Sequence, residues 1–388
     1  MRAILAGHTG LEKETFLERL SDLCRQAGRV LGIYDLEKET VKQCGSPSPS
    51  HLDQYFQNKN LFIRYRKEAF EKINKHIDDD GLPTALLNIH VTYRRRRIPF
   101  HVIDYQQLMV FRPDMFITLI DDVYRVQARI KTKAEKIADA ATAEITLKDI
   151  MEWRYAEIMH VETMANFSGH IQRRSIPHYI IPLRGGERVV YQLLFESEEA
   201  LGARGDWKPK AYIGFPITKT LGDSPEAKTL AKERDRFRKR MKDLDLIIFD
   251  PYGIEEKALS IALAAVKNKR EAPDTVHVIS EDEEVFQVNK EEAEEVDFDI
   301  GVQVPARDYM MIYQSDFFVG YRPALSSGEK SEIANANQLG KPVYVVWPKS
   351  DPPKDDFEEL KVTEQYETIE ELIEAIRRKV IPYFRGRR

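Results

Sequence analysis

The residues best suited to chemistry lie near the C-terminal end of the chain, between two strand-like runs. The first run, 315–320, leads into a loop rich in serine and glycine, and the second run covers 340–347. Between them, Glu332 stands at the start of a short predicted helix. Parallel sheets bind ligands at their carboxyl edge, where a loop of this kind can hold a phosphate or a sugar. The pattern therefore predicts a carboxylate nucleophile at Glu332 beside a phosphate or sugar cradle.

The composition is typical of a two-domain protein without a general affinity for nucleic acid. The chain has 388 residues, more than one hydrophobic core usually serves, so we expect two domains. Its net charge of −5 offers no basic field, so nucleic acid is not an expected partner. The two cysteines form no metal or disulfide pattern, and neither a signal peptide nor a membrane-spanning stretch is visible. We expect a cytoplasmic protein that does not enter a membrane.

Alternating strand-like and helical segments must position these residues. The strand-like runs are 2–6, 85–91, 115–120, 210–216 and 246–250. Charged helical patterns separate them, which predicts an α/β fold of parallel sheets with helices on both faces. We expect a first domain at 1–185, a linker at 186–209 and a second domain at 210–388. The very acidic segment 281–299 is predicted to be a solvated surface insertion.

The segment after the first strand has the spacing of a phosphate-binding loop. Gly7 and Gly10 precede Lys13 and Thr15, and a helix follows. Together with the segments 88–90, 113–114, 122–129 and 154–156, this loop makes residues 1–168 resemble archaeal-type adenylate kinases. The resemblance implies a P-loop kinase-like domain that binds ATP and Mg²⁺. Its implied nucleotide contacts are Gly7, Gly10, Lys13, Thr15 and Arg129.

The same loop departs from the kinase pattern at positions that matter for phosphoryl transfer. Glu12 replaces the glycine before the lysine and brings a negative charge to the phosphate position. Asn88 replaces an aspartate that helps to place Mg²⁺, and the segment after Arg129 has no arginine cluster. Because phosphoryl transfer depends on positioning and charge neutralisation, we expect impaired transfer. A structural, dimerisation or nucleotide-sensing role is the main expectation, and an active nucleoside monophosphate kinase is the alternative.

Three segments of the second domain together resemble the nucleoside 2-deoxyribosyltransferase superfamily. They are 211–216, 307–308 with 315–316, and 326–346. The resemblance implies a flavodoxin-like domain in which ionised Glu332 attacks the anomeric carbon of a nucleoside sugar. It also implies that Tyr212 orients this carboxylate and that Asp308 protonates the leaving base. The further substrate contacts that it implies are Gly214, Pro216 and Asp316, although a strand-edge role for Asp316 is equally compatible with the sequence.

The loop before the nucleophile position limits the class of substrate that we expect. Superfamily members that act on free nucleosides have an aspartate six residues before the nucleophile, whereas this chain has Ser326, followed by Ser327 and Gly328. The chain is similar here to 2'-deoxynucleoside 5'-phosphate N-hydrolases, in which a serine binds the 5'-phosphate. Hydroxyl and backbone N–H groups suit a phosphate dianion, which an aspartate would repel. Thr218 and Lys219 are additional candidates for this phosphate site.

These patterns lead to one main functional expectation and several alternatives. We expect N-glycosidic cleavage of a (deoxy)nucleoside 5'-monophosphate with release of free base, and this reaction requires no metal or cofactor. A base-exchanging deoxyribosyltransferase, a non-catalytic nucleotide-binding regulator and an active kinase are the alternatives. The expected partner is a small-molecule nucleotide, and the resemblance implies a homo-oligomer.

Overall fold

Two units, each built around one parallel sheet, make up the chain in the computed structural model. The structure describes residues 1–45, 58–95, 98–136, 144–202, 206–216, 224–267, 274–280, 282–323, 326–347 and 362–386. The units are Met1–Leu194 and Phe195–Arg388. Each contains a five-stranded sheet in which all neighbouring strands run parallel. The predicted fold class, α/β with two three-layer parallel-sheet domains, is confirmed.

The first unit alternates strands and helices. Its strands are β1 (Arg2–Ala6), β2 (Gly32–Asp35), β3 (Ala85–Asn88), β4 (Thr92–Arg95), β5 (Ile98–His101), β6 (Met115–Ile120) and β7 (His178–Pro182). Its helices are α1 (Lys13–Gln26), α2 (Leu36–Cys44), α3 (Lys59–Asp80), α4 (Tyr105–Phe111), α5 (Val123–Lys136), α6 (Leu147–Gln172) and α7 (Gly186–Phe195), which reaches the unit boundary. The sheet order is β2-β3-β1-β6-β7, and β4 and β5 form an antiparallel hairpin. All six residues of β6 are buried, as expected for a central parallel strand.

The segment 186–209, predicted as a linker, is ordered structure over much of its length. Helix α7 occupies its start, and the short helix α8 (Glu198–Leu201) follows. Val190 and Leu193 of α7 are fully buried because they lie on the apolar face of the helix. The boundary between the units falls at residues 194 and 195, inside the segment predicted as a linker, and this segment contains helices.

The second unit has the flavodoxin-like strand order. Its strands are β8 (Lys210–Gly214), β9 (Ile247–Phe249), β10 (Thr275–Ile279), β11 (Val285–Asn289), β12 (Phe317–Tyr321), β13 (Val343–Val346) and β14 (Glu364–Tyr366). Its longer helices are α9 (Pro225–Lys242), α10 (Glu256–Lys267), α11 (Lys290–Tyr313), α12 (Ser327–Gln338), α13 (Ile369–Ala375) and α14 (Ile381–Gly386). The sheet order is β14-β13-β12-β8-β9, which is the 2-1-3-4-5 order of flavodoxin-like doubly wound sheets.

The acidic segment 281–299 is not a surface insertion over its whole length. Strands β10 and β11 form a hairpin around its start, and α11 begins inside it at Lys290. Ala293, Val296 and Ile300 are fully buried, because they share one face of α11 while the acidic residues face solvent. The charges therefore belong to an amphipathic helix, and the same helix carries Asp308 eight residues further on.

The two faces of the second sheet have different contents because side chains alternate along each strand. One face joins the main apolar cluster of the unit; its members on β8 and β12 are Ala211, Ile213, Phe317, Val319 and Tyr321. On the other face, Tyr212 is paired in register with Phe318, and Gly214 with Gly320. Helix α12 lies over this second face, since its glutamates approach both glycines. The predicted site residues gather here.

Candidate functional site

Glu332 reaches the sheet through the space that a glycine leaves open. It lies on the second turn of α12, and its Oε2 atom is buried without a hydrogen-bond partner among the described residues. A Cβ atom added at Gly214 would lie 3.2 Å from that oxygen. Helix α12 follows β12, so its N-terminal end stands at the carboxyl edge of the sheet, as the sequence predicted.

Tyr212 places its hydroxyl group near this carboxyl group. Its side chain is fully buried on β8, and its hydroxyl has no hydrogen-bond partner of good geometry among the described residues. Burial and then the nearby Glu332 raise the pKa of Tyr212 well above its usual value. The hydroxyl therefore keeps its proton, and its proximity favours the ionised form of Glu332. This proximity is what the orienting role predicted from the sequence requires.

Asp308 belongs to the same cluster and is held by an arginine. Arg307 donates two hydrogen bonds to Asp308 Oδ1, from Nε at 3.0 Å and from Nη2 at 2.8 Å. Arg307 Nη1 also lies 3.8 Å from Glu256 Oε2 on α10. Burial raises the pKa of Asp308, although Arg307 opposes this shift. The arrangement leaves Asp308 able to exchange a proton near Glu332.

The electrostatic environment of Glu332 differs from the sequence expectation of an ionised carboxylate. Burial, Asp308 and then a further glutamate, Glu329, raise the pKa of Glu332 well above its usual value. Tyr212 and Arg307 oppose the shift without reversing it. The main cause is burial, and the excess of acidic groups over cations adds to it, so the environment favours the protonated form of Glu332.

Glu329 and its partners were not singled out from the sequence. Glu329 is almost completely buried in the first turn of α12, and its Oε2 accepts a hydrogen bond from Arg322 Nε at 3.2 Å. The Arg322 guanidinium lies 4.0 Å from the centre of the Trp347 ring. Burial raises the pKa of Glu329 to about 8, and Arg322 opposes this shift. A glutamate in a first helical turn is usually exposed, so no sequence signal marks this one.

The serine loop begins α12 without capping it through a side chain. Ser326 is the N-cap residue, and its hydroxyl makes no capping hydrogen bond. A Cβ atom added at Gly328 would lie 3.7 Å from Ser326 Oγ, and Ser327 is exposed. The three residues thus surround the N-terminal end of a 12-residue helix. Thr218 and Lys219 lie outside the described residues.

Asp316 lies at the opposite edge of the sheet. It precedes β12, and its Oδ2 accepts a hydrogen bond from the backbone N–H of Lys210 at 2.7 Å. Because β8 and β12 are parallel, this pairing belongs to their amino ends, far along the strands from Gly214. The structure therefore corrects its assignment as a substrate contact and supports the strand-edge role. Pro216, in contrast, is buried just beyond the carboxyl end of β8.

The glycine-rich loop of the first unit makes a left-handed turn directly before α1. Glu12 adopts left-handed angles, φ 46° and ψ 40°, directly before α1. Lys13 is buried and donates a 2.5 Å hydrogen bond to the backbone carbonyl of Ile89, and burial lowers its pKa to about 8. Gly7 donates its backbone N–H to Glu157 Oε1 at 3.1 Å, so a carboxyl group of the protein lies at the start of the loop.

The remaining residues predicted to contact a nucleotide are bound by other protein groups, packed against side chains or exposed to solvent. Arg129 binds Asp121 Oδ2 at 2.7 Å and lies 3.4 Å from Glu12 Oε2. Thr15 is exposed, and a Cβ atom at Gly10 would lie 2.8 Å from the Ile130 side chain. These residues do not fit a bound ATP–Mg²⁺ complex, because the cations that should meet phosphate already meet protein oxygens.

Comparison with known proteins adds no identification. No protein-family model matches the chain, and no curated protein is significantly similar to it. Among the described residues, no helix is long and apolar enough to cross a membrane. The site must therefore be interpreted from its own geometry.

Proposed function

We propose that the second unit cleaves the N-glycosidic bond of a (deoxy)nucleoside 5'-monophosphate, with Glu332 as the nucleophile. One observation carries this proposal: Glu332 Oε2 and the Tyr212 hydroxyl are both buried and lie near each other, and no other described residue is a hydrogen-bond partner of either atom. Buried polar groups are nearly always paired, and unpaired ones often belong to binding or catalytic sites. Both groups lie near the carboxyl edge of a doubly wound sheet, where such folds bind ligands.

The first chemical step forms a glycosyl ester. A carboxylate oxygen of Glu332 bonds to C1' of the sugar while the C1'–N bond breaks, and its electron pair leaves with the base. Asp308, protonated beforehand, gives its proton to the departing nitrogen. The positive charge that develops at C1' favours ionised Glu332, and the Tyr212 hydroxyl donates a hydrogen bond to it.

The second step releases the sugar. Water attacks C1', the ester bond breaks, and its electron pair returns to Glu332. The proton lost by water passes to Asp308, which restores the starting state. The sum is nucleotide plus water giving free base plus sugar 5-phosphate. A second nucleobase in place of water would give base exchange, which is the transferase alternative.

The phosphate is assigned to the N-terminal end of α12. The Ser326 hydroxyl does not cap its own helix and is available to a ligand. Unpaired backbone N–H groups and the helix dipole at this end favour an anion, and no acidic side chain of residues 326–328 opposes it. This charge pattern supports a nucleoside monophosphate over an uncharged nucleoside.

The pH dependence follows from the proton on Glu332. Its raised pKa means that the nucleophilic form is scarce at low pH and increases as pH rises. Base release should therefore rise with pH as Glu332 ionises and fall again at higher pH as Asp308 loses the proton that the leaving base needs. A rate that only falls as pH rises would contradict a carboxylate nucleophile in this environment.

The test is chromatography of free base after incubation with a panel of nucleoside mono-, di- and triphosphates. The wild type should release base from a monophosphate, whereas Glu332→Gln should release none above background. Glu226→Gln is the matched control, because Glu226 is an exposed first-turn glutamate of α9 in the same unit. Base release by Glu332→Gln at the wild-type rate would refute the proposal. Binding without release by the wild type would favour a regulatory module.

We propose no phosphoryl transfer for the first unit. The observation behind this is that Lys13 and Arg129, the two cations expected at phosphate, bind Ile89 and Asp121. The first unit then has a structural role, and the chain should not convert a monophosphate to a diphosphate with ATP. Formation of a diphosphate in that assay would overturn this assignment.

A further inference from the structure

Two glutamates of α12 approach two glycines that face each other across neighbouring strands. Glu332 Oε2 lies against Gly214 on β8, and Glu329 Oε1 lies against Gly320 on β12. A Cβ atom added at Gly214 would lie 3.2 Å from Glu332 Oε2, and one added at Gly320 would lie 3.0 Å from Glu329 Oε1. Gly214 and Gly320 are partners in the parallel register. Neighbouring strands are about 4.8 Å apart, so the two carboxyl groups lie over adjacent positions of the sheet, close enough for Glu329 to raise the pKa of Glu332.

Helix geometry and strand pairing agree on this arrangement. Residues three apart on a helix share one face, so Glu329 and Glu332 must point in the same direction. Glycine at both strand positions leaves room for two carboxyl groups on one side of the sheet. Both Glu329 Oε1 and Glu332 Oε2 are buried without hydrogen-bond partners among the residues described.

Arg322 fixes the Glu329 side of this pair. Its Nε atom donates to Glu329 Oε2, its guanidinium lies against the Trp347 ring, and all three side chains are almost fully buried. A guanidinium held on an aromatic ring has little freedom to move. Glu329 therefore cannot turn away from Glu332 without losing its only cation in the described structure.

We propose that Glu329 is a positioning residue of the Glu332 site: the two glutamates form a carboxyl pair above Gly214 and Gly320, and Glu329 determines when Glu332 gives up its proton. The consequence of this carboxyl pair for catalysis rests on the function proposed above. Two carboxylates this close cannot both be ionised easily, so the pair retains a proton that a single carboxylate would lose.

Charged and titratable groups from several elements face the pair. They are Tyr212 on β8, Glu256 and Lys257 on α10, Arg307 and Asp308 on α11, and Arg322 after β12. With the pair itself this makes four carboxyl groups against two guanidinium groups and one ammonium group. One substitution at Glu329 reduces the number of acids without touching the nucleophile. Glu329 does not contact the substrate in this account; it acts through Glu332.

The test is infrared titration of the protonated carboxyl band in the whole protein, which needs no substrate. In Glu329→Gln, the part of the band that Glu332→Gln abolishes should titrate at least about one pH unit lower than in the wild type, because a neighbouring negative charge no longer opposes its ionisation. Glu226→Gln should match the wild type. An unchanged midpoint in Glu329→Gln overturns the proposal.

A second variant keeps the test decisive if Glu329→Gln does not fold. Glu329→Asp keeps a carboxylate for Arg322 but withdraws it from Glu332 by one methylene, so a smaller downward shift is expected and its absence overturns the proposal. In base-release assays, the pH of half-maximal rate should move down with the infrared midpoint. If the wild type releases no base, the proposed function fails while the infrared titration still decides the carboxyl pair.

Discussion

The left-handed backbone at Glu12 predicts that glycine stabilises the protein relative to alanine at this position, the reverse of the usual effect. Glycine normally destabilises a protein relative to alanine by about 0.5–1 kcal/mol, because it gives the unfolded chain more freedom. At φ 46° and ψ 40°, however, a side chain with a Cβ atom is strained by roughly 1–2 kcal/mol. We therefore expect Glu12→Gly to be more stable than Glu12→Ala.

The magnitude follows from comparing the two variants with each other. Both lose the ion pair with Arg129, whose 3.4 Å contact is exposed on the Glu12 side and contributes at most about 1 kcal/mol. That term cancels in the comparison, and the strain remains. Even after the entropy of glycine is subtracted, Glu12→Gly should exceed Glu12→Ala by about 0.5–1 kcal/mol in free energy of unfolding.

Urea unfolding of the full chain, followed by far-ultraviolet circular dichroism, measures this difference. A control pair is available at Ala27, the C-cap residue of the same helix, whose φ of −86° carries no left-handed strain. Ala27→Gly should not stabilise the protein. If Glu12→Ala is as stable as Glu12→Gly, the backbone at position 12 is not strained in the left-handed region, and this prediction is wrong.

Two further predictions concern the first unit at low pH and the phosphate position. Arg66 donates hydrogen bonds of 2.8 and 3.0 Å to buried Glu37 and, with His90 and Tyr93, lowers its pKa from 4.5 to about 2 despite burial. The pair stabilises the protein above pH 4.5, and this stabilisation is lost as pH falls through about 2. Glu37→Gln should therefore lower the free energy of unfolding in urea by about 3 kcal/mol at pH 7 and by much less near pH 2. An equal loss at both pH values would contradict this prediction. Ser326→Asp should weaken monophosphate binding by tenfold or more, about 1.4 kcal/mol, and should change nucleoside binding less. Calorimetry measures both affinities, and an unchanged monophosphate affinity would contradict the assignment of the phosphate to this end of α12.

The fold was predictable because its strands have strong local signals. The run Met115–Ile120 is apolar except for Thr118, which is typical of a central parallel strand, and the alternation of strands with charged helices indicated the fold class. Helix α7 was not predicted, since its residues fall in the segment 186–209 that was predicted as a linker. Only packing shows that Val190 and Leu193 are buried on one helix face.

The site was predictable in part. Glu332, Tyr212 and Asp308 come together as the sequence indicated, although they are far apart along the chain. The sequence could not show that Glu329 turns inward, since its neighbours in the chain are polar and its contact with Gly320 depends on tertiary structure. The raised pKa of Glu332 depends on the same contacts, so it too had no local signal.

The central claim is that Glu332 forms a covalent bond to the sugar. The most direct measurement is mass spectrometry of the protein after rapid quenching with a nucleoside monophosphate that the wild type cleaves. We expect an added sugar phosphate on the peptide that contains Glu332, and no adduct in Glu332→Gln. Base release that persists in Glu332→Gln, with no adduct on the wild-type peptide, would contradict the account.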